Sequence, residues 1–534
     1  MSSNLEVFSY NQFGANGLNT QEASIVLSSN WASTAENVEF DREGRLSPRP
    51  VFVDTSFQPS VTTFTSIHAY NWNDTGGFSF ETIFAIQNGY SERASSISGS
   101  YSSGGFGTVS SSQPNSKMMS VRLQDRVFFF SRGTRPQTIN LATGGALANV
   151  TDAAAPQAHI AYAAFGRIWA ADTGYGSNEK RTLYWSVLLN GNDWSGTGSG
   201  SLDLTSYWGT SDDEITSIRE FNNFLIVFSL KRITIIENPD LATFNVSATT
   251  NPNTTMAIKD AIVGVGAIGR YATINVGDDI VFMDQSGLYS LSRVIQEKSN
   301  PLTSICPQVQ DTFRGVASIG RRLYVQSPYG SEFKLLYNQY TKQIYMFTGS
   351  STNYVVHMGR RVEGLPCVTS WTGLTVRDVC LYMAADGNIY LLYHGTWTGS
   401  NGIKVGLLYD TSIPSLPSVG SNYETYTATI AGTWDVLGKE NVQKHLKRSL
   451  VTYKSNATTY TFKYKFNFDD ATEQTFPLTV VASGSSYKVA SLPIGGSGET
   501  VLMTVSWPIT QSTVSNQLGR IVFNFKTGRI NSGV

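Results

Sequence analysis

The residues able to do chemistry are few and scattered. Gly264-Val265-Gly266-Ala267-Ile268-Gly269 spells the GxGxxG pattern, which cradles a dinucleotide when a helix follows it. Here Arg270 to Met283 follows and reads as strands around the Gly277-Asp278 turn, so nucleotide binding is not expected. The histidines His68, His159, His357, His394 and His445 stand singly. Satisfied structural side chains are expected there, not metal ligands. Cys306, Cys367 and Cys380 lack the paired spacing of a zinc site and read as buried, reduced thiols. Asp212-Asp213-Glu214, Asp278-Asp279 and Asp469-Asp470 each fall at a turn, where Asp bonds nearby backbone. A glycosidase would need two carboxylates ~5–9 Å apart, a spacing that sequence does not display. Walker, HExxH, EF-hand and GxSxG spacings are missing from the chain. No catalytic, cofactor-binding or metal-ligating residue is assigned, no cofactor is expected, and the chain reads as non-enzymatic.

One basic cluster stands out: Lys439, Lys444, Lys447, Arg448, Lys454, Lys463 and Lys465, opposed locally by Glu440. It is a candidate contact for DNA phosphates or for an acidic patch on a partner, with a plain solvated face as the competing reading.

The elements that must position these residues are strands. Runs of Val, Ile, Tyr, Phe and Thr alternate with clusters of Gly, Ser, Asn and Asp. A unit recurs in which a Gly, Asp or Asn turn precedes an apolar strand. Copies are Gln124 to Phe130, Phe165 to Trp169, Asn222 to Val227, Gly277 to Phe282, Ile319 to Tyr324 and Asp386 to Tyr390, with an earlier one at Phe80 to Ile86. The copies lie roughly 40 to 65 residues apart, near the ~40–50 of a four-stranded propeller blade. Each reads as an innermost strand, apolar because both faces are packed. Long helical periodicity is almost absent; Glu440 to Leu450 fits either a short helix or the approach to a strand. Ser95 to Ser112 and Gly196 to Gly200 read as mobile loops.

The pattern changes near Ile413-Pro414-Ser415-Leu416-Pro417. Beyond it Tyr460, Phe462, Tyr464, Phe466 and Phe468 alternate with polar residues, as do Val501, Met503, Val505 and Trp507. The expected fold is all-β: a β-propeller of six to eight blades with a C-terminal β-sandwich-like domain. The expected boundaries are an N-terminal arm over 1–28, the propeller with loop insertions over 29–412, a linker over 413–420 and the C-terminal domain over 421–534.

The 534 residues carry 41% hydrophobic side chains, 12% aromatic and 15% charged, with a net charge of −1. That apolar content excludes a disordered chain. Three cysteines exclude a disulfide scaffold. Near-zero net charge argues against a tight global grip on nucleic acid. Met1-Ser2-Ser3-Asn4-Leu5-Glu6 has neither a basic start nor an apolar stretch, so neither export nor stable membrane insertion is expected.

The stretch Ser29 to Phe52 resembles the opening of the tail nozzle proteins of short-tailed bacteriophages, also called tail tubular protein B. Asn37, Phe40, Gly44, Leu46, Arg49 and Pro50 match that family's pattern, whereas Val51 departs from its usual Gly. Phe165 to Trp169, Leu183 to Ser186, Val265 to Ile268 with Phe282 to Leu291, and Leu335 to Thr341 echo it in order. The resemblance implies a structural virion protein of a podovirus-like tail, made in the host bacterial cytoplasm. It implies a homo-hexameric ring that gates double-stranded DNA during ejection, docks on an adaptor ring protein and anchors a tail fibre or spike. A head-proximal sealing hub is the neighbouring possibility. The alternative is a carbohydrate-binding or carbohydrate-hydrolysing propeller for receptor recognition, with Trp72, Trp194 and Trp397 as exposed stacking surfaces.

Overall fold

The structure, a computed structural model, describes residues 5–41, 43–55, 65–73, 79–87, 90–94, 107–110, 117–142, 144–174, 176, 179–209, 213–241, 255–296, 303–326, 332–362, 364–383, 389–398, 400, 403–409, 419–484, 486–510 and 516–528. Most of the Ser95 to Ser112 stretch, the Asp386-Gly387-Asn388 turn and the Ile413 to Pro417 boundary lie outside the described residues.

The chain forms a β-propeller with additional β-sheets. Seven strands form its innermost circle: β1 (Ser66–Asn73), β2 (Met119–Leu123), β3 (Ile160–Ala164), β4 (Ile215–Phe221), β5 (Thr273–Val276), β6 (Lys334–Asn338) and β7 (Leu374–Met383). From β2 onward each packs against the next, and β7 returns against β1. The hydroxyls of Tyr70 and Ser120 join β1 to β2 at 2.5 Å. Each innermost strand opens an antiparallel sheet, of four strands in the first four and three in the fifth. The seventh is completed from the other end of the chain. Val51–Thr55 pairs with Lys404–Tyr409, with Leu407 opposite Val53.

Local sequence explains the hairpins. Phe165 and Gly166 have φ of 53° and 68°, and Asn222 and Asn223 have 47° and 64°. Two consecutive positive φ values mark the tight turn whose twist suits paired strands. The apolar units after these turns are second strands, not the expected innermost ones: Arg126–Ser131, Arg167–Ala171, Phe224–Ser229 and Asp279–Asp284. Each is buried almost end to end. A second strand has a neighbouring sheet on both faces, which is why it reads as one apolar run.

One copy of the unit is not a strand at all. Ile319 to Tyr324 lies within a 17-residue helix, Gln310–Gln326, the third after the short helices Thr205–Trp208 and Leu291–Gln296. Phe313, Val316 and Ala317 form its buried face at helical spacing. Gly320 continues that face, where a Cβ would lie 2.9 Å from the Cβ of Phe333. The glycine that looked like a turn allows the helix to pack closely.

The sixth sheet does not stop at its fourth strand. Thr34–Glu36 pairs in parallel with Leu365–Trp371, at Glu36 and Ser370, and antiparallel with Tyr426–Ala431. Through that strand the sheet continues into Val501–Ile509, Thr458–Phe466 and Asp469–Val480, nine strands in all. A second sheet is built on Gln443–Lys454 and Gln517–Gly528, joined by Glu6–Tyr10, Val38–Phe40 and Leu46–Pro48. Gln443–Lys454 settles the Glu440 to Leu450 ambiguity as a strand. Tyr460, Phe462 and Tyr464 of one sheet share a buried core with Ile521, Phe523 and Phe525 of the other. Tyr464 meets Phe523 edge to face at 5.8 Å.

Candidate functional site

The densest buried polar chemistry lies where the innermost strands begin. Lys117, just before β2, and Lys334, the first residue of β6, place their ammonium groups 3.1 and 3.0 Å from the same Asp378 oxygen on β7. The other Asp378 oxygen accepts the backbone N–H of Ile67 at 2.9 Å. Arg270, before β5, donates to both Glu332 oxygens at 3.0 and 2.8 Å. It also donates to the carbonyls of His159 and Lys117, at 2.9 and 3.2 Å. The side chains thus tie the starts of six sheets together across the axis. Lys117, Arg270, Glu332, Lys334 and Asp378 are all buried.

This arrangement sets the protonation states. Burial alone would raise the Asp378 carboxyl, but Lys117 and Lys334 hold it well below the usual carboxylate range. Burial pulls Lys117 below its ordinary value. Burial works against Lys334 too, yet Asp378 and Tyr271 hold it above its own. Burial drives His68 down to about 3 and takes His159 well below its usual value, so both rings are neutral. The helix Gln310–Gln326 is tied down beside this network. The Tyr324 hydroxyl donates to Asp172 at 3.1 Å, and Arg321 pairs with Glu214. Burial pushes Asp172 up to about 6 despite its Arg132 partner.

The network floors an axial cavity of about 560 Å³. All seven innermost strands contribute to the wall, including Tyr70, Arg122, Tyr162, Arg219, Asn275, Tyr337 and Leu381. Lys334 and Tyr271 line it beside the network, while Arg122 and Asn275 are exposed further along their strands. The Arg219 guanidinium lies 5.2 Å from the centre of the Tyr162 ring. It donates to the carbonyls of Ile218 and Thr273 at 2.9 and 2.7 Å. A second cavity, of about 390 Å³, borders Asp279, Arg293 and Arg361. Its carboxylate is engaged by the hydroxyl and backbone N–H of Ser292.

Sequence reasoning missed the axial residues. The signal was one charged or imidazole residue just ahead of an apolar run, in four of the sheets: Lys117, His159, Arg270, Glu332. The GxGxxG segment forms no phosphate cradle here. It leads into β5, and a Cβ on Gly266 would lie 2.1 Å from the Ser229 carbonyl, so that glycine serves close backbone packing.

The residues singled out at Ser29 to Phe52 gather at a junction. The Arg49 Nε donates to the Asn37 Oδ1 at 2.8 Å, and Asn37 donates to Thr372 at 2.9 Å. The guanidinium also pairs with Glu424 and lies 4.0 Å from the Tyr426 ring centre. Its Nη1 donates to the Pro50 carbonyl at 3.0 Å. Phe40 and Leu46 are buried nearby in strands, and Gly44 turns the chain between them with φ of 81°.

The basic cluster is distributed instead of gathered. Lys444 is buried and caps the carbonyls of Val442 and Glu499. Lys439 pairs with Glu6, Lys463 with Glu473, and Lys465 with Asp470. Lys447, Arg448 and Lys454 stand on Gln443–Lys454, in the sheet that faces the one holding Lys463 and Lys465.

No protein-family model matches the chain, and no curated protein matches it. Solved structures similar to it include the WD40 β-propeller domain of Doa1, at 10% identity over 67% of this chain and 98% of that one, TM-score 0.37. The β-propeller domain of Cps50 (Swd1) from Myceliophteria thermophila is similar at 10% identity over 67% and 100%, TM-score 0.37. Raptor from Chaetomium thermophilum is similar at 8% identity over 68% and 30%, TM-score 0.39. These findings correct the tail-nozzle expectation and the virion location that came with it. Neither a family model nor a curated protein supports that expectation, and none of the solved structures just named is a tail component. The expectation of exposed stacking tryptophans, on which the carbohydrate alternative stood, is corrected on geometry. Trp194 and Trp397 are buried, with Trp194 donating to the Gly191 carbonyl and Trp397 packed on Tyr393. The Trp72 side chain lies outside the described residues. Among the described residues no group of three or more His, Cys, Asp or Glu is placed to hold a metal ion, and no helix is long and apolar enough to cross a membrane.

Proposed function

We propose that this protein is a non-enzymatic β-propeller scaffold of seven blades that works by recognition at its axial cavity. The cavity carries the reading. It has the volume typical of a ligand pocket and a wall that mixes aromatic surface with a few placed polar groups. The buried ionic network at its floor ties the blade starts together, so the wall is held in one shape before anything binds. The two further sheets form a sandwich-like module. It is braced to the sixth blade by the shared strand Thr34–Glu36, a rigid mount for the ring.

The test is binding of N-phenyl-1-naphthylamine, a neutral aromatic dye that brightens in apolar surroundings. Saturable binding to the whole protein is expected, and Asn275→Trp at the exposed mouth is expected to weaken it roughly tenfold or more, the scale of a lost apolar contact area. Equal binding by both proteins would sink the cavity reading.

A further inference from the structure

We propose that the axial cavity takes a small organic anion, an apolar or aromatic body bearing a carboxylate, sulfonate or phosphate, with Arg219 as its anchor. This rests on the reading of the cavity as the recognition site.

The charge of the wall carries the proposal. Arg122, Arg219 and Lys334 line the cavity, and among its described lining residues there is no Asp or Glu. Behind Lys334, the network sets two cations, Lys117 and Arg270, against two carboxylates, Asp378 and Glu332. The layer behind is balanced, and the wall itself leans positive.

Arg219 is the residue with capacity to spare. A guanidinium presents five N–H donors and never loses its charge. Here two donate to backbone carbonyls. Among the described residues, the ionisable groups that act on it are the tyrosines Tyr162 and Tyr271, and burial draws it below its ordinary value. Arg219 is partly buried on the cavity wall, where a counter-charge gains more than it would in open water. An oxyanion entering the cavity supplies that charge and accepts the planar N–H pair side on. Tyr162, under the same guanidinium, and Tyr337, from the facing wall, offer ring surface to the ligand's body.

A matched pair of probes separates the two readings. 8-Anilinonaphthalene-1-sulfonate has the aromatic body of N-phenyl-1-naphthylamine plus one sulfonate. The wild-type protein is expected to bind the sulfonate at least about tenfold more tightly, the scale of a hydrogen bond to a charged group. Arg219→Gln should abolish that preference while leaving the neutral dye bound. Arg219→Lys, which keeps the charge but not the fork, should retain part of it. Equal wild-type affinity for both dyes, each weakened by Asn275→Trp, overturns the anion proposal and leaves the cavity reading standing. No binding of either dye overturns both. The wild-type comparison needs no variant, so a misfolded Arg219→Gln would not shelter the idea.

Discussion

The Arg49 guanidinium and the Glu424 carboxylate, 375 positions apart in sequence, meet in two parallel hydrogen bonds of 2.8 and 2.6 Å. Neither side chain has any exposed surface. The pair locks the turn before Val51–Thr55 to the turn before Tyr426–Ala431, where the propeller passes into the added sheets. Such a pair is expensive to bury but far more expensive to break. Glu424→Gln should leave a buried, uncompensated cation and cost ~3–5 kcal/mol in urea unfolding. Arg49→Met combined with Glu424→Leu should recover most of that loss, because the charge leaves with its partner. An unchanged urea midpoint for Glu424→Gln would show that the junction does not depend on the pair.

Acid should loosen the fold well above the usual carboxylate range. Burial holds His68 and His394 down to about 3 and His357 to about 4, against an ordinary 6.5. Below pH 6.5 the unfolded chain takes up protons that the folded chain refuses, so stability falls as pH falls toward 4. His159 is held down as well, and Asp172, raised to about 6, acts in the opposite sense between about 4 and 6, as one group against four. Lower still, protonation of Asp378 removes the partner of Lys117 and Lys334. The urea midpoint at pH 5 should lie below that at pH 7.5. A midpoint that holds or rises would mean that these imidazoles are charged in the fold.

The three cysteines should be inert in the native protein. Burial pushes Cys367 and Cys380 up to about 12 and raises Cys306 as well, so the reactive thiolate is scarce at neutral pH. Ellman's reagent at pH 8 should label slowly, Cys380 first because it is the least buried, and should reach three equivalents once guanidinium unfolds the chain. Rapid stoichiometric labelling of the folded protein would contradict that burial.

Much of the propeller could be read because its second strands announce themselves. Phe128-Phe129-Phe130 and Leu225-Ile226-Val227 are apolar on both faces and follow turns that sequence displays. The helix Gln310–Gln326 was hidden because Gly320-Arg321-Arg322-Leu323-Tyr324 spells the same turn and apolar run, and two glycines interrupt the helical stripe. The axial network was hidden for a different reason. Lys117 and Asp378 are unremarkable singly, and their meeting depends on where the ring closes, which no local pattern encodes. The pairing of Thr34–Glu36 with Ser370 and Thr429 is equally remote. Asn37 and Arg49 were found by resemblance, but their role as a buried clamp emerged from their partners.

Val51–Thr55 completes the seventh sheet from the wrong end of the chain. Thr55 bonds to Val405, a partner 350 residues later. A ribosome adding ~5–20 residues per second leaves this fully buried strand waiting roughly 20–70 seconds for its neighbour. During synthesis, then, the first apolar strand of the ring is the last of the ring to be used, and Val51-Phe52-Val53 is a stretch that a chaperone has time to hold.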